Sequence, residues 1–177
     1  MFWNKISDFF GLGNKTKAET HPYAGRHCWL YISSRYKEIL FVPMGKVDPW
    51  MSRELDAVIV KPWPISIGEL QDTIQATLDN CKSPVEKLEP SKDRWFSLKA
   101  SKAKTQQSLK VDYVLMRLFT DLERPYAKGE VERIKVSAAP FGQSGTYRLT
   151  GETHLSETRL AQIVLDIFSA CETIRTK

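Results

Sequence analysis

Metal and nucleophilic chemistry would fall first to three histidines and three cysteines. His21, His27, His154, Cys28, Cys81 and Cys171 lie far apart in the chain, and none sits at a C-x-x-C or paired-ligand spacing. The one adjacent pair, His27 and Cys28, falls in a β-branched and aromatic run, where neighbouring side chains point to opposite faces. The cysteines therefore read as reduced thiols in apolar surroundings, and no metal site is expected. Gly142-Gln-Ser-Gly145 lacks the G-x-S-x-G spacing of a nucleophile elbow and the Lys-Ser/Thr ending of a phosphate loop, so it reads as a hairpin turn. Glu130, Glu132 and Lys135 carry the residue types of a metal-dependent nuclease. The three-residue step from Glu132 to Lys135, however, puts them on opposite faces of a regular strand, where solvent-facing charge is the plainer account. No catalytic residue and no cofactor is assigned.

Charge offers a stronger signal. The net charge is +5, and residues 91 to 117 hold all of it: Lys92, Arg94, Lys99, Lys102, Lys104, Lys110 and Arg117 stand against Asp93 and Asp112. Both flanks are neutral, with eleven basic and eleven acidic residues over 1 to 90 and eight of each over 118 to 177. Such a patch is either a solvated face or a contact for an anionic partner, and it steers encounter mainly at low salt. Arg94, Trp95, Phe96 and Lys99 supply a fragment of the basic-aromatic interleaving that nucleic-acid platforms use, with Trp95 and Phe96 read as core anchors at the patch edge.

These residues must be positioned by a folded frame. With 177 residues, 42% of them hydrophobic and 27% charged, the chain is long enough for one globular domain that needs neither disulfides nor metal for stability. No run of 18 or more apolar residues occurs, and Asn4, Lys5, Ser7 and Asp8 interrupt the apolar start. Neither a membrane span nor a signal peptide is expected, and a cytoplasmic location follows.

Phe2, Trp3, Ile6, Phe9 and Phe10 recur at helical spacing before Gly11, which predicts a short N-terminal amphipathic helix, docked on the domain, followed by a polar linker to residue 25. Residues 26 to 177 form the remaining single domain. His27 to Ile32 and Glu38 to Val42 read as a β-hairpin, and Asp56 to Lys61 as a third strand stopped by Pro62-Trp63-Pro64. Ser66, three residues before Glu69, opens a helix over 66 to 80 whose stripe is Ile67, Leu70, Ile74, Thr77, Leu78 and Cys81. Over 94 to 110, Trp95, Phe96 and Leu98 are compatible with the start of a strand, and Ala100 to Gln107 with a short exposed helix. Strands follow at Val111 to Phe119, Glu130 to Ser137 and Thr146 to Thr150, and Leu160, Ile163, Val164, Ile167, Phe168 and Cys171 mark a C-terminal helix. The pattern predicts an α+β fold with a mostly antiparallel sheet packed by helices.

Several stretches together carry a resemblance: Ile67-Gly68-Glu69-Leu70 opening a helix, the Trp95 to Lys104 run with Lys99-Ala-Ser-Lys102, a hairpin near 111 to 136, and the apolar C-terminal helix with Leu160, Ile163 and Cys171. The chain resembles, over roughly residues 56 to 173, the immunity proteins of bacterial contact-dependent growth inhibition, in the group that neutralises zinc-dependent DNase toxins. The resemblance implies a non-catalytic cytosolic protein that binds the C-terminal domain of a cognate toxin and takes no small-molecule substrate. It also implies β-augmentation, in which a toxin hairpin pairs beside the inhibitor's own sheet.

The physics of the basic stretch selects Arg94, Lys99, Lys102 and Lys104 as electrostatic contacts and Trp95 as the anchor. The second reading is a regulatory module that touches nucleic acid or an acidic protein through residues 91 to 117. An enzyme with a dispersed site ranks last.

Overall fold

A computed structural model describes residues 25–46, 52–81, 95–120, 133–140, 148–154 and 159–176. The expected N-terminal helix lies outside them, as do His21, Glu130, Glu132 and the Gly142–Gly145 turn. Strands β1 (His27–Ser33) and β2 (Glu38–Lys46) form the predicted hairpin, with Ser33 opposite Glu38. Lys37 closes the turn at a φ of 52°, and the Tyr36 amide donates to Ser33 Oγ at 3.1 Å. Strand β3 (Ser52–Glu54) pairs with the far end of β2, and β4 (Ile59–Pro62) with its beginning. β3 was not expected from the sequence, and β4 starts three residues later than the strand predicted from Asp56. After Pro62 the Trp63 amide donates to the Lys37 carbonyl at 3.0 Å, and its ring meets Phe168 edge-on with centroids 4.9 Å apart.

Helix α1 (Ile67–Asp79) begins where predicted, with Ser66 Oγ accepting from the Glu69 amide at 3.2 Å. Its buried stripe is Leu70, Thr73, Ile74, Thr77 and Leu78, whereas Ile67, assigned to that stripe from spacing, is 44% exposed. The basic segment forms two short helices, α2 (Phe96–Ala100) and α3 (Gln106–Asp112). Strand β5 (Val114–Thr120) then enters the sheet, followed by β6 (Arg133–Ala138), β7 (Leu149–His154) and helix α4 (Arg159–Arg175).

The seven strands form one antiparallel sheet in the order β3-β2-β1-β5-β6-β7, with β4 also beside β2. This is the α+β architecture expected. Alternation along each strand divides the core in two. Leu30, Ile32, Ile39, Phe41, Val114, Met116, Leu118, Ile134 and Val136 face α1 and α4, where they meet Leu70, Ile74, Leu160, Val164 and Cys171. On the other face Tyr31, Leu40, Val42 and Met44 meet Ala103, Leu109 and Tyr113 from the α2–α3 segment. Cys28, Cys81 and Cys171 are buried free thiols, and burial is the leading cause that pushes each thiol pKa up, Cys81 to about 11.

Candidate partner-binding surface

Two carboxylates on the sheet hold the basic segment in place. Glu54, 2% exposed at the end of β3, accepts from the Ser97 amide at 2.7 Å through Oε2. Through Oε1 it accepts from Ser97 Oγ at 2.7 Å and from the Tyr31 hydroxyl at 3.2 Å. The first turn of α2 is thus docked by its amide on an anion. Glu38, 4% exposed at the start of β2, accepts from the Tyr113 hydroxyl and, at 2.8 Å, from the Lys102 amide. Burial, followed by the neighbouring carboxylate, pushes both phenols far above the usual tyrosine range. Thr105 and Ser108 close a reciprocal cap on α3, with Thr105 Oγ1 accepting from the Ser108 amide at 3.1 Å and Ser108 Oγ from the Thr105 amide at 3.1 Å.

This anchoring corrects the sequence reading of 94 to 110. Trp95, Phe96 and Leu98 do not begin a strand, because the Glu54 carboxylate captures the Ser97 amide and turns the chain into a helix. Most of the stretch predicted as one short helix, Ala100 to Gln107, is the bend between two helices. Val111 belongs to α3 and is 58% exposed, so β5 begins at Val114. The strand predicted at Thr146 to Thr150 runs instead from Leu149 to His154.

The predicted contact residues separate by role. Arg94 lies outside the described residues. Trp95 is 39% exposed at the entry of α2, a surface residue and not the core anchor also considered for it. The Lys99 ammonium stands 5.5 Å from the Phe96 ring, and Lys104 and Lys110 are exposed. Lys102 is different: its ammonium donates to the Tyr36 carbonyl at 2.9 Å and lies 3.6 Å from Glu38 Oε2. It ties the segment to the β1–β2 turn. Asp112, one of the segment's two acids, is engaged by Arg35 at 2.8 Å and by the Tyr36 hydroxyl at 3.1 Å. Lys99, Lys104, Lys110 and Trp95 are thus exposed residues of a segment that Glu54 and Glu38 fix to the sheet.

Sequence reasoning missed Glu38 and Glu54. Their signal was an acidic residue at the end of an apolar strand run, as in Glu38-Ile-Leu-Phe-Val, but a strand end is equally compatible with a solvated carboxylate. Among the described residues no group of three His, Cys, Asp or Glu is placed to hold a metal, and no helix is long and apolar enough to cross a membrane. An open cleft of about 420 Å³ lies between Arg133, Glu152, Thr153, His154 and Arg159, crossed by an Arg133–Glu152 pair at 3.7 Å. No protein-family model, curated protein or solved structure matches this chain.

Proposed function

We propose that this protein is a non-catalytic inhibitor that binds and neutralises a cognate toxin domain, acting in the cytoplasm as an immunity protein of a contact-dependent growth inhibition system. The observation that carries this reading is the α2–α3 surface: Lys99, Lys104, Lys110 and the half-exposed Trp95 stand on a segment pinned by Glu54 and Glu38. A segment fixed in advance loses little conformational entropy on binding, and an exposed Trp is a common interface anchor. The opposite edge of the sheet fits the β-augmentation that the resemblance implies. Among the described residues β7 (Leu149–His154) stands last in the sheet order, beside β6.

The test is co-expression with the C-terminal domain of the effector encoded directly upstream, scored by cell survival and by co-purification. Survival with a stable one-to-one complex supports the reading, and continued death without a complex overturns it. Within such a complex, Lys99→Glu with Lys104→Glu should weaken affinity by about tenfold or more and flatten its salt dependence, chiefly through slower association. Lys102→Glu should lower stability first, since it would place a second carboxylate against Glu38.

A further inference from the structure

The α2–α3 segment covers only part of its face of the sheet. Further along, the register aligns Trp29 with Arg117, Ser137 and Thr150, and His27 with Phe119, Lys135 and Glu152. All of these point away from the α1–α4 side, because Leu30, Met116, Leu118 and Val136 between them are buried there. The Arg117 guanidinium lies over the Trp29 ring, 5.4 Å from its centroid. Phe119, two residues along the same strand face and so about 7 Å away, is 39% exposed. Arg148, one residue before β7 and two before Thr150 in the Trp29–Arg117–Ser137 row, is exposed, and its charge adds to burial in lowering the Arg117 pKa.

Among the described residues neither Arg117 nor Arg148 has a carboxylate at ion-pair distance, while Arg35, Arg133 and Arg175 each have one. Two guanidiniums without a carboxylate at ion-pair distance are suited to an external anion, and Arg117 rests against the Trp29 indole. An acidic peptide would satisfy the guanidiniums but leave the exposed Phe119 ring unused. A planar aromatic group bearing a phosphate uses both.

We infer that this face of β1, β5, β6 and β7 binds a nucleotide unit, free or within a single strand, with the base stacked on Phe119 and the phosphate between Arg117 and Arg148. This surface is separate from the α2–α3 cluster and does not depend on toxin binding. The experiment is fluorescence anisotropy of a labelled oligothymidylate with the full chain at low salt, with thymidine monophosphate and oligoglutamate as competitors.

Phe119→Ala should weaken binding about 5- to 150-fold, the range for loss of one base–aromatic stack. Arg148→Glu should weaken it and reduce the salt slope by about 0.7, one phosphate contact on a single strand. Lys104→Glu should leave the Phe119-dependent component intact. Competition by the monophosphate identifies a free nucleotide as a sufficient ligand, and retention of the oligomer alone identifies a strand; both support the inference. No binding at low salt overturns it. So does binding indifferent to Phe119→Ala, or oligoglutamate competing as well as the oligonucleotide. Phe119 and Arg148 are both exposed, so these variants test the site without relying on the half-buried Arg117.

Discussion

Glu54 is a buried carboxylate whose worth lies in the donors it satisfies. Replacing it with alanine leaves the Ser97 amide, the Ser97 hydroxyl and the Tyr31 hydroxyl without their acceptor, each in a buried setting. Orphaned buried donors cost about 1–3 kcal/mol each before relaxation, and water entering beside α2 recovers part of this. Glu54→Ala should therefore lower unfolding free energy by about 2–4 kcal/mol in urea titrations, while Glu54→Gln, which keeps one acceptor oxygen, should cost less. A loss near zero would mean that α2 is held by its apolar contacts alone.

The thiols give a pH signature with a definite sign. Cys81 has a pKa raised from 9.0 to about 11, chiefly by burial, so the folded state favours the protonated thiol. Its contribution is complete below pH 9 and is lost as pH rises through about 11. Stability should fall by about 3 kcal/mol across that window from this group, with Cys28 acting in the same direction, and Cys81→Ala should flatten the fall. Urea midpoints measured across the window check it. An equally steep decline in the variant would shift the cause to the buried tyrosines.

At the scale of elements, the close approach of β7 to α4 depends on a missing side chain. A Cβ placed on Gly151 would stand 2.6 Å from Ile163 Cγ2 and 3.4 Å from Ile167 Cδ1. The Ile163 methyl is attached at Cβ and has little freedom within a helix, so helix and strand would have to separate. Gly151→Ala should cost about 1–3 kcal/mol by overpacking. Ile163→Ala should cost stability alone yet restore part of it in the double variant, giving a favourable coupling in a thermal-melt cycle. Strict additivity would show that the strand shifts without strain.

The same scale shows what the amino-acid pattern makes legible. α1, α4 and the β1–β2 hairpin follow from apolar periodicity, a serine cap and alternating strand residues, all local signals. The α2–α3 region was misread because its helices are five and seven residues long and are imposed by Glu54 and Glu38 from distant strands. Its one local signal was Thr105 three residues before Ser108. Trp95, read both as an interface anchor and as a core anchor, is 39% exposed, and spacing could not separate anchored Lys102 from exposed Lys104. Arg117 was counted in the basic stretch and Phe119 as a strand residue, but neither was joined to Trp29, which lies 88 positions from Arg117 in sequence and adjoins it only through the β1–β5 register.

For the molecule as a whole, the two sides of the sheet differ in how they are sealed. The α1–α4 side joins strands β1, β2, β5 and β6 to two long helices through one continuous apolar cluster. The α2–α3 side joins short helices to a smaller cluster and relies on the two carboxylates for its polar closure. Local opening free energy follows buried apolar contact, so the α2–α3 segment should open without unfolding the sheet. In native-state hydrogen exchange, amides of α2 and α3 should exchange through an opening of lower free energy than those of β1 and β5, and Glu54→Ala should lower the α2 value further. The proposed partner, bound at Lys99, Lys104 and Trp95, would select the closed segment and raise that opening free energy by the same coupling. Protection that rises in α2–α3 on complex formation, with the β1–β5 core unchanged, would map the partner to this surface. A rise confined to β7 would place the partner at the sheet edge instead, and the lysine cluster would then serve encounter without remaining in the bound interface.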